Sequence, residues 1–227
     1  MRQFRLSGRD TAMVVLGVLL ASAVVATATM IKHAQMPLPY QAEGITARWI
    51  PATVTHWQKP IEEMAKRYDI DPNVIAIIMT MESGGDAKAK SEADAVGLMQ
   101  LTAPTAKDVA AKFLKTPVSK YDLNDPATNI EFGTAYLSWL RDEFGTTAQG
   151  PDWIRTVELV AAGYNGGPGA ANSLEQGKGL ADTQTVVYSR DAFNMWRERV
   201  SSKSYTFDRW KERGGVDLIK AAEESQK

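Results

Sequence analysis

The sequence predicts an all-α (mainly α) domain, and three observations carry that prediction. Apolar residues recur at helical spacing through most of the chain after residue 50. Asp-Pro pairs, which suit a helix N-cap followed by the first helical position, stand at Asp71-Pro72 and Asp125-Pro126. No Asn-Gly hairpin joins two alternating apolar runs, since Asn165-Gly166 follows a helical stretch instead.

The elements follow in order. Over residues 54–68, Trp57, Ile61, Met64 and Ala65 fall on one stripe facing a core. The Asp71-Pro72 start leads into the apolar run 74–81, which the breaker Ser83-Gly84-Gly85 stops. Residues 102–114 repeat the pattern, with Val109, Ala110, Phe113 and Leu114 as the inner face. Asp125-Pro126 opens a helix through Phe132, Tyr136, Trp139 and Leu140 to a stop at Gly145. Helices are also expected over 153–162 and 183–200. Residues 201–227 read as a polar tail with a short helix near 216–224.

The N-terminus is different. Arg2, Arg5 and Arg9 precede an uncharged run over residues 11–31, rich in Val, Leu and Ala. At 21 residues the run is long enough to cross a bilayer, with the positive flank left in the cytoplasm. Ala26-Thr27-Ala28 also offers a small-x-small cleavage site after the shorter apolar run 13–25. A retained anchor and a cleaved signal peptide both place the remainder outside the cytoplasm; a buried soluble helix is the third reading. The expected organisation is a membrane segment or signal over 1–31, a linker over 32–50, the main domain over 51–202 and a C-terminal tail over 203–227.

Composition narrows the chemistry. The 227 residues are 44% hydrophobic and 23% charged, which is ordinary for a globular protein. A formal net charge of -1 argues against nucleic acid as the partner, because phosphate binding draws on a basic excess. With no cysteine there is no disulfide, thiolate metal site or thiol nucleophile. His33 and His56 are the only histidines, and neither stands in a triad-like or metal-ligand pattern. The lone Gly177-Lys178 lacks the spacing of a nucleotide loop.

One residue carries chemistry by its position. Ile75, Ile78, Met79 and Glu82 fall at i, i+3, i+4 and i+7, so a carboxyl lies on an apolar stripe at a helix C-terminus. Burial disfavours its charged form, and the partial negative charge of the helix end pushes the same way. A neutral carboxylic acid in an apolar cleft is what a general acid needs. The ordinary alternative is a solvent-exposed Glu82, or one paired with Lys88 or Lys90; taken alone, that reading would win.

The surrounding motifs shift the balance. Glu82-Ser83-Gly84, Ser91 and Gly97-Leu98-Met99-Gln100-Leu101 come first, then Asn129, Gly133 and Tyr136-Leu137. The stretch Ala162-Gly163-Tyr164-Asn165-Gly166-Gly167-Pro168-Gly169 follows, then Gln184-Thr185 and Tyr188. In this order and spacing, residues 70–188 resemble the soluble lytic transglycosylase (SLT) family, lysozyme-like relatives of goose-type lysozyme. The resemblance implies cleavage of the β-1,4 bond between N-acetylmuramic acid and N-acetylglucosamine in peptidoglycan, with Glu82 as acid and then base. It implies a 1,6-anhydromuramic product and no cofactor or metal. It also implies Ser91, Gln100, Tyr164, Asn165 and Tyr188 as residues of the glycan-binding groove. Met99, Asn129, Gly133 and Leu137 read as structural, Gly133 permitting a close helix approach. Departures from the family pattern are Asp94 where Gly is usual, a proline shifted by one place at Ala103-Pro104, and Gln184 in place of Glu.

The partners implied are peptidoglycan glycan strands and, through the N-terminal segment, a membrane; the oligomeric state stays open. Two rival readings stand beside this one. A hydrolytic muramidase of the same fold would need an activated water and a second carboxylate, for which Asp86, Glu92 and Asp94 are the nearest in sequence. A membrane-tethered glycan-binding scaffold would cleave nothing.

Overall fold

The computed structural model describes residues 44–115, 117, 121–145 and 151–227, with residues 151–154 described in backbone only. The expected membrane segment over 1–31 and most of the expected linker lie outside these residues. Among the described residues, no helix is long and apolar enough to cross a membrane.

The described fold is helical, and its β structure is limited to isolated bridges, Lys90 with Val96 and Val96 with Leu101. Two short helices, α1 (Ala52–Thr55) and α2 (Gln58–Tyr68), lead into α3 (Pro72–Ser83). Then come α4 (Ala103–Val109), continued by a π-helical turn over Ala110–Leu114, and the long α5 (Pro126–Phe144). The second half holds α6 (Pro151–Gly166), α7 (Pro168–Glu175) and α8 (Thr183–Glu198). The chain closes with α9 (Tyr205–Trp210), a second π-helical turn over Lys211–Gly215, and α10 (Val216–Ser225).

Caps set the starts. Asp71, Thr102, Asp125, Asp182 and Ser204 each accept a first-turn backbone N–H, and proline fills the first turn after the first three. The α6 helix packs on α5, α7 and α8, while α3 lies against α2 and α8. In α3 every residue from Pro72 to Met81 is buried, so it is enclosed on all faces rather than along one stripe. A helix of that kind sits inside a domain. Its own Ile75, Ile78 and Met79, with Leu98, Met99, Leu137 and Trp196, are among the largest fully buried side chains. Each such side chain contributes about 1.5–3 kcal/mol on leaving water.

The N-terminal end of α3 is clamped to the end of α8. Asp71 is fully buried and accepts from Trp196 Nε1 at 2.7 Å and from Asn73 N and Nδ2 at 2.8 Å each. Arg199 lies over the Trp196 ring at 3.7 Å and its Nε is 3.8 Å from Asp71.

Both flanks of the main domain are built into it. The linker reading ends before Ile45: Asn73 Oδ1 accepts from Thr46 N at 2.8 Å and Ala47 N at 3.1 Å, and Ala47 and Ile50 are buried. The tail folds into α9 and α10, burying Phe207, Trp210 and Ala222. The α10 backbone touches Gly84, where φ is +62° and an added Cβ would stand 2.7 Å from the Leu218 carbonyl carbon. Gln226 Nε2 donates to Thr53 O at 2.9 Å and Gly85 O at 3.0 Å, tying the chain end to the loop after α3.

Candidate active site

Glu82 sits in the last turn of α3, one residue before the buried Ser83. Ser83 Oγ donates to Leu98 O at 2.8 Å, which fixes the turn from the inside. The Glu82 side chain is partly exposed, and it lines a cleft of about 220 Å³ with Gln100, Leu101, Thr102, Thr105, Tyr136, Tyr164, Asn165 and Gly167. Its Oε1 accepts from Tyr188 Oη at 2.6 Å. Burial lifts the Glu82 pKa from 4.5 to about 7, and the Tyr188 hydrogen bond, which favours the carboxylate, offsets only part of the rise. Neither Lys88 nor Lys90 is its partner; Lys90 pairs with Asp94 at 3.0 Å.

The loop from Gly84 to Thr102 forms the next wall, and Asn129 of α5 holds it. Asn129 Oδ1 accepts from Met99 N at 2.8 Å, and its Nδ2 donates to Val96 O and Leu123 O at 2.9 Å. Gly97 has φ +76°, and a side chain there would collide with that amide. Met99 is fully buried and packs over Gly133. Gln100 is left with φ +46°, a conformation that is strained for a non-glycine residue. Its Nε2 donates to Gly97 O at 2.9 Å and Ala89 O at 3.1 Å. The amide nitrogen is thus committed inward, and Oε1 is the end available as an acceptor. Asp94, where the resemblance led to an expected Gly, has φ +58°, in the left-handed region that Gly enters freely and Asp tolerates.

The second half of the domain brings the rest. Tyr164 and Asn165 lie in the last turn of α6, and Tyr164 Oη donates to Met99 O at 2.7 Å. Its ring lies 5.5 Å from that of Tyr136, whose Oη donates to Gly163 O at 3.3 Å. Burial holds the Tyr164 and Tyr188 hydroxyls well above their ordinary range, so both are neutral donors. The Asn165 side chain contacts Thr185 Oγ1 at 2.9 Å.

Glu82, Gln100, Tyr164 and Asn165 therefore share one cleft, with Tyr188 bonded to Glu82. Ser91 stands apart from the cleft lining: its Oγ accepts from Ala95 N at 3.1 Å and closes the turn over 91–95. Thr102, Thr105 and Tyr136 line the cleft without having been singled out as site residues. Thr102 reads in sequence as a helix start, and Tyr136, though part of a motif shared with the family, reads as a core-facing position, so helical periodicity marks neither for the cleft. Among the described residues, Glu82 is the single carboxyl lining the cleft; Asp86, Glu92 and Asp94 are not part of it.

Comparison with known proteins shows the family to which this fold belongs. The family model of the transglycosylase SLT domain matches residues 59–187. The membrane-bound lytic murein transglycosylase C of Actinobacillus pleuropneumoniae serotype 5b (strain L20) is 38% identical over 134 residues, which is 58% of this chain and 36% of that protein. The membrane-bound lytic murein transglycosylase E of Buchnera aphidicola subsp. Acyrthosiphon pisum (strain APS) is 34% identical over 114 residues, 49% of this chain and 51% of that one. The chain thus matches between 36% and 51% of the length of these curated relatives. Among solved structures, an inactive mutant of the lytic transglycosylase Slt from Pseudomonas aeruginosa is similar in fold. Its TM-score is 0.50 at 24% identity, covering 65% of this chain and 25% of that chain. The family match takes in Glu82, Ser91, Gln100, Tyr164 and Asn165 and ends one residue before Tyr188. Since it runs over more than half of the sequence, the chain belongs to the transglycosylase SLT domain family.

Proposed function

We propose that the protein is a peptidoglycan lytic transglycosylase in which Glu82 alone serves as acid and then as base. The observation that carries this reading is a lone carboxyl, raised to a pKa of about 7, in a cleft otherwise lined by neutral polar and aromatic groups. Such a lining suits a sugar chain, which offers hydroxyls and acetamides at its edges and apolar ring faces.

The chemistry follows from one proton. Protonated Glu82 gives its hydrogen to the oxygen bridging N-acetylmuramic acid and N-acetylglucosamine as the muramyl C1–O bond breaks. The carboxylate left behind takes the proton of the muramyl C6 hydroxyl, whose oxygen bonds to C1. Glu82 returns to its starting state, and the muramyl end leaves as a 1,6-anhydro ring with no water consumed. A pKa near 7 suits a group that must give a proton and then take one. Gln100 Oε1 and the Asn165 amide supply polar contacts to the sugar, the Tyr164 and Tyr136 rings border it, and Tyr188 holds the Glu82 carboxyl in place. Ser91 acts on the groove through the turn it closes. The relatives named membrane-bound, together with the N-terminal apolar run, support a place in the cell envelope, outside the cytoplasm.

Digestion of purified peptidoglycan with product mass analysis is the test. Anhydromuramic products from the wild type, and a fall of at least about a hundredfold for Glu82→Gln, are expected. Products heavier by one water would assign a hydrolytic muramidase instead, and release of nothing by the wild type would leave a glycan-binding scaffold.

A further inference from the structure

Thr185 is buried at the start of α8, and its single hydroxyl stands between two acceptors. Its Oγ1 lies 2.8 Å from Asp182 Oδ2 and 2.9 Å from Asn165 Oδ1. A hydroxyl has one hydrogen and can donate to only one of them. Asp182 Oδ2 also accepts Thr185 N at 2.7 Å, and these bonds hold the Asp182 carboxyl below its usual range, so at neutral pH it is an acceptor only. A hydroxyl-to-carboxylate bond is roughly twice as strong as a neutral one. The hydrogen therefore goes to Asp182, and Thr185 turns a lone pair toward Asn165. An amide oxygen there would meet that lone pair unfavourably, whereas the near-isosteric nitrogen would donate to it; only hydrogen bonding tells the two ends apart.

We propose that Asp182 and Thr185 form a fixed relay that turns the Asn165 amide, with its nitrogen bonded to Thr185 and its oxygen facing the cleft. Gly166 fits this arrangement. A Cβ at that position would stand 2.9 Å from Thr185 Oγ1 and 2.8 Å from its Cγ2, so the end of α6 can reach Thr185 this closely only without a side chain there. Asp182 and Thr185 are positioning residues, acting through Asn165.

The consequence for catalysis rests on the function proposed above. An oxygen facing the cleft accepts an N–H or O–H from the sugar. It also turns the amide donor away from the cleft that Glu82 lines, which favours the neutral form of that acid in the same sense as burial does. Among the described residues, the titratable groups facing Glu82 are Tyr188 from α8 and Tyr164 from α6, both neutral where Glu82 titrates.

The test is nuclear magnetic resonance of the Asn165 side-chain amide, joined to a pH profile of wall cleavage. In the wild type, one Asn165 amide proton is expected to exchange slowly with water. Thr185→Val should abolish that protection, and Thr185→Ser, which keeps the hydroxyl, should restore it. Thr185→Val should also lower kcat/KM roughly fivefold, the effect of one neutral hydrogen bond, and move the alkaline limb of the profile to lower pH. Fast exchange in the wild type, unchanged by Thr185→Val, would overturn the relay. Were the wild type to cleave no peptidoglycan at all, the proton exchange would still decide the amide orientation, so failure of the relay and failure of the proposed function are told apart.

Discussion

At each end of α3 a carboxyl meets an aromatic donor from α8, yet the two ends are built for opposite outcomes. Asp71 accepts Trp196 Nε1, Asn73 N and Asn73 Nδ2, and faces Arg199. It lies at the helix N-terminus, where the partial positive charge favours a carboxylate, and no cleft reaches it. Among the described residues Glu82 has one donor, Tyr188; it lies at the C-terminus, where the partial charge is negative, and opens to the cleft. Burial raises the pKa of both carboxyls. A raised pKa therefore does not mark a reactive group by itself; the number of donors and an open path to a ligand separate the two.

The sharpest break of this contrast would come at Asp71. Asp71→Ala is expected to lower folding stability by about 3–5 kcal/mol, because the donors gathered on it become unsatisfied and a buried charge pair is broken. Urea denaturation measures this, while wall cleavage per folded molecule should stay near wild type. A large activity loss with stability intact would erase the distinction. At the other end, Glu82→Gln should stabilise the protein at alkaline pH. The folded pKa of about 7 lies above the ordinary 4.5, so the native state binds the proton more tightly and loses stability as pH rises through that window. The uncharged variant escapes this loss, gaining at most roughly 3 kcal/mol at pH 8 and little at pH 4. The smallest effect is expected from Tyr188→Phe. It removes the one hydrogen bond that favours the charged form, so the alkaline limb of the activity profile should rise by about one pH unit. A limb that moved down would show that Tyr188 acts on Glu82 in another way.

Much of α3 was legible in the sequence because it is written locally. Asp71-Pro72 announces the cap, the apolar run announces burial, and Glu82 follows at the spacing of that run. Tyr188 was not legible in this way: it meets Glu82 across 106 positions of sequence, and only the family resemblance pointed to it. The Asp71–Trp196 bond spans 125 positions and carried no local signal either. The C-terminal residues read as a tail because most of them are polar or charged. Ala222 alone is buried within α10, and the helix is held partly by Gln226, whose polarity suggests solvent. Ser91 was placed by resemblance, whereas its hydroxyl closes its own turn.

The docking of α10 on Gly84 bears on how portable the segment that carries Glu82 is. A fragment trimmed to residues 59–187 would cut α8 before Trp196, remove the Asp71 clamp, and leave the carbonyls of Gly84 and Gly85 without Thr53 and Gln226. The contacts that brace the Glu82 turn and the start of α3 therefore run from Ile45 through Gln226, well past both borders of the family match.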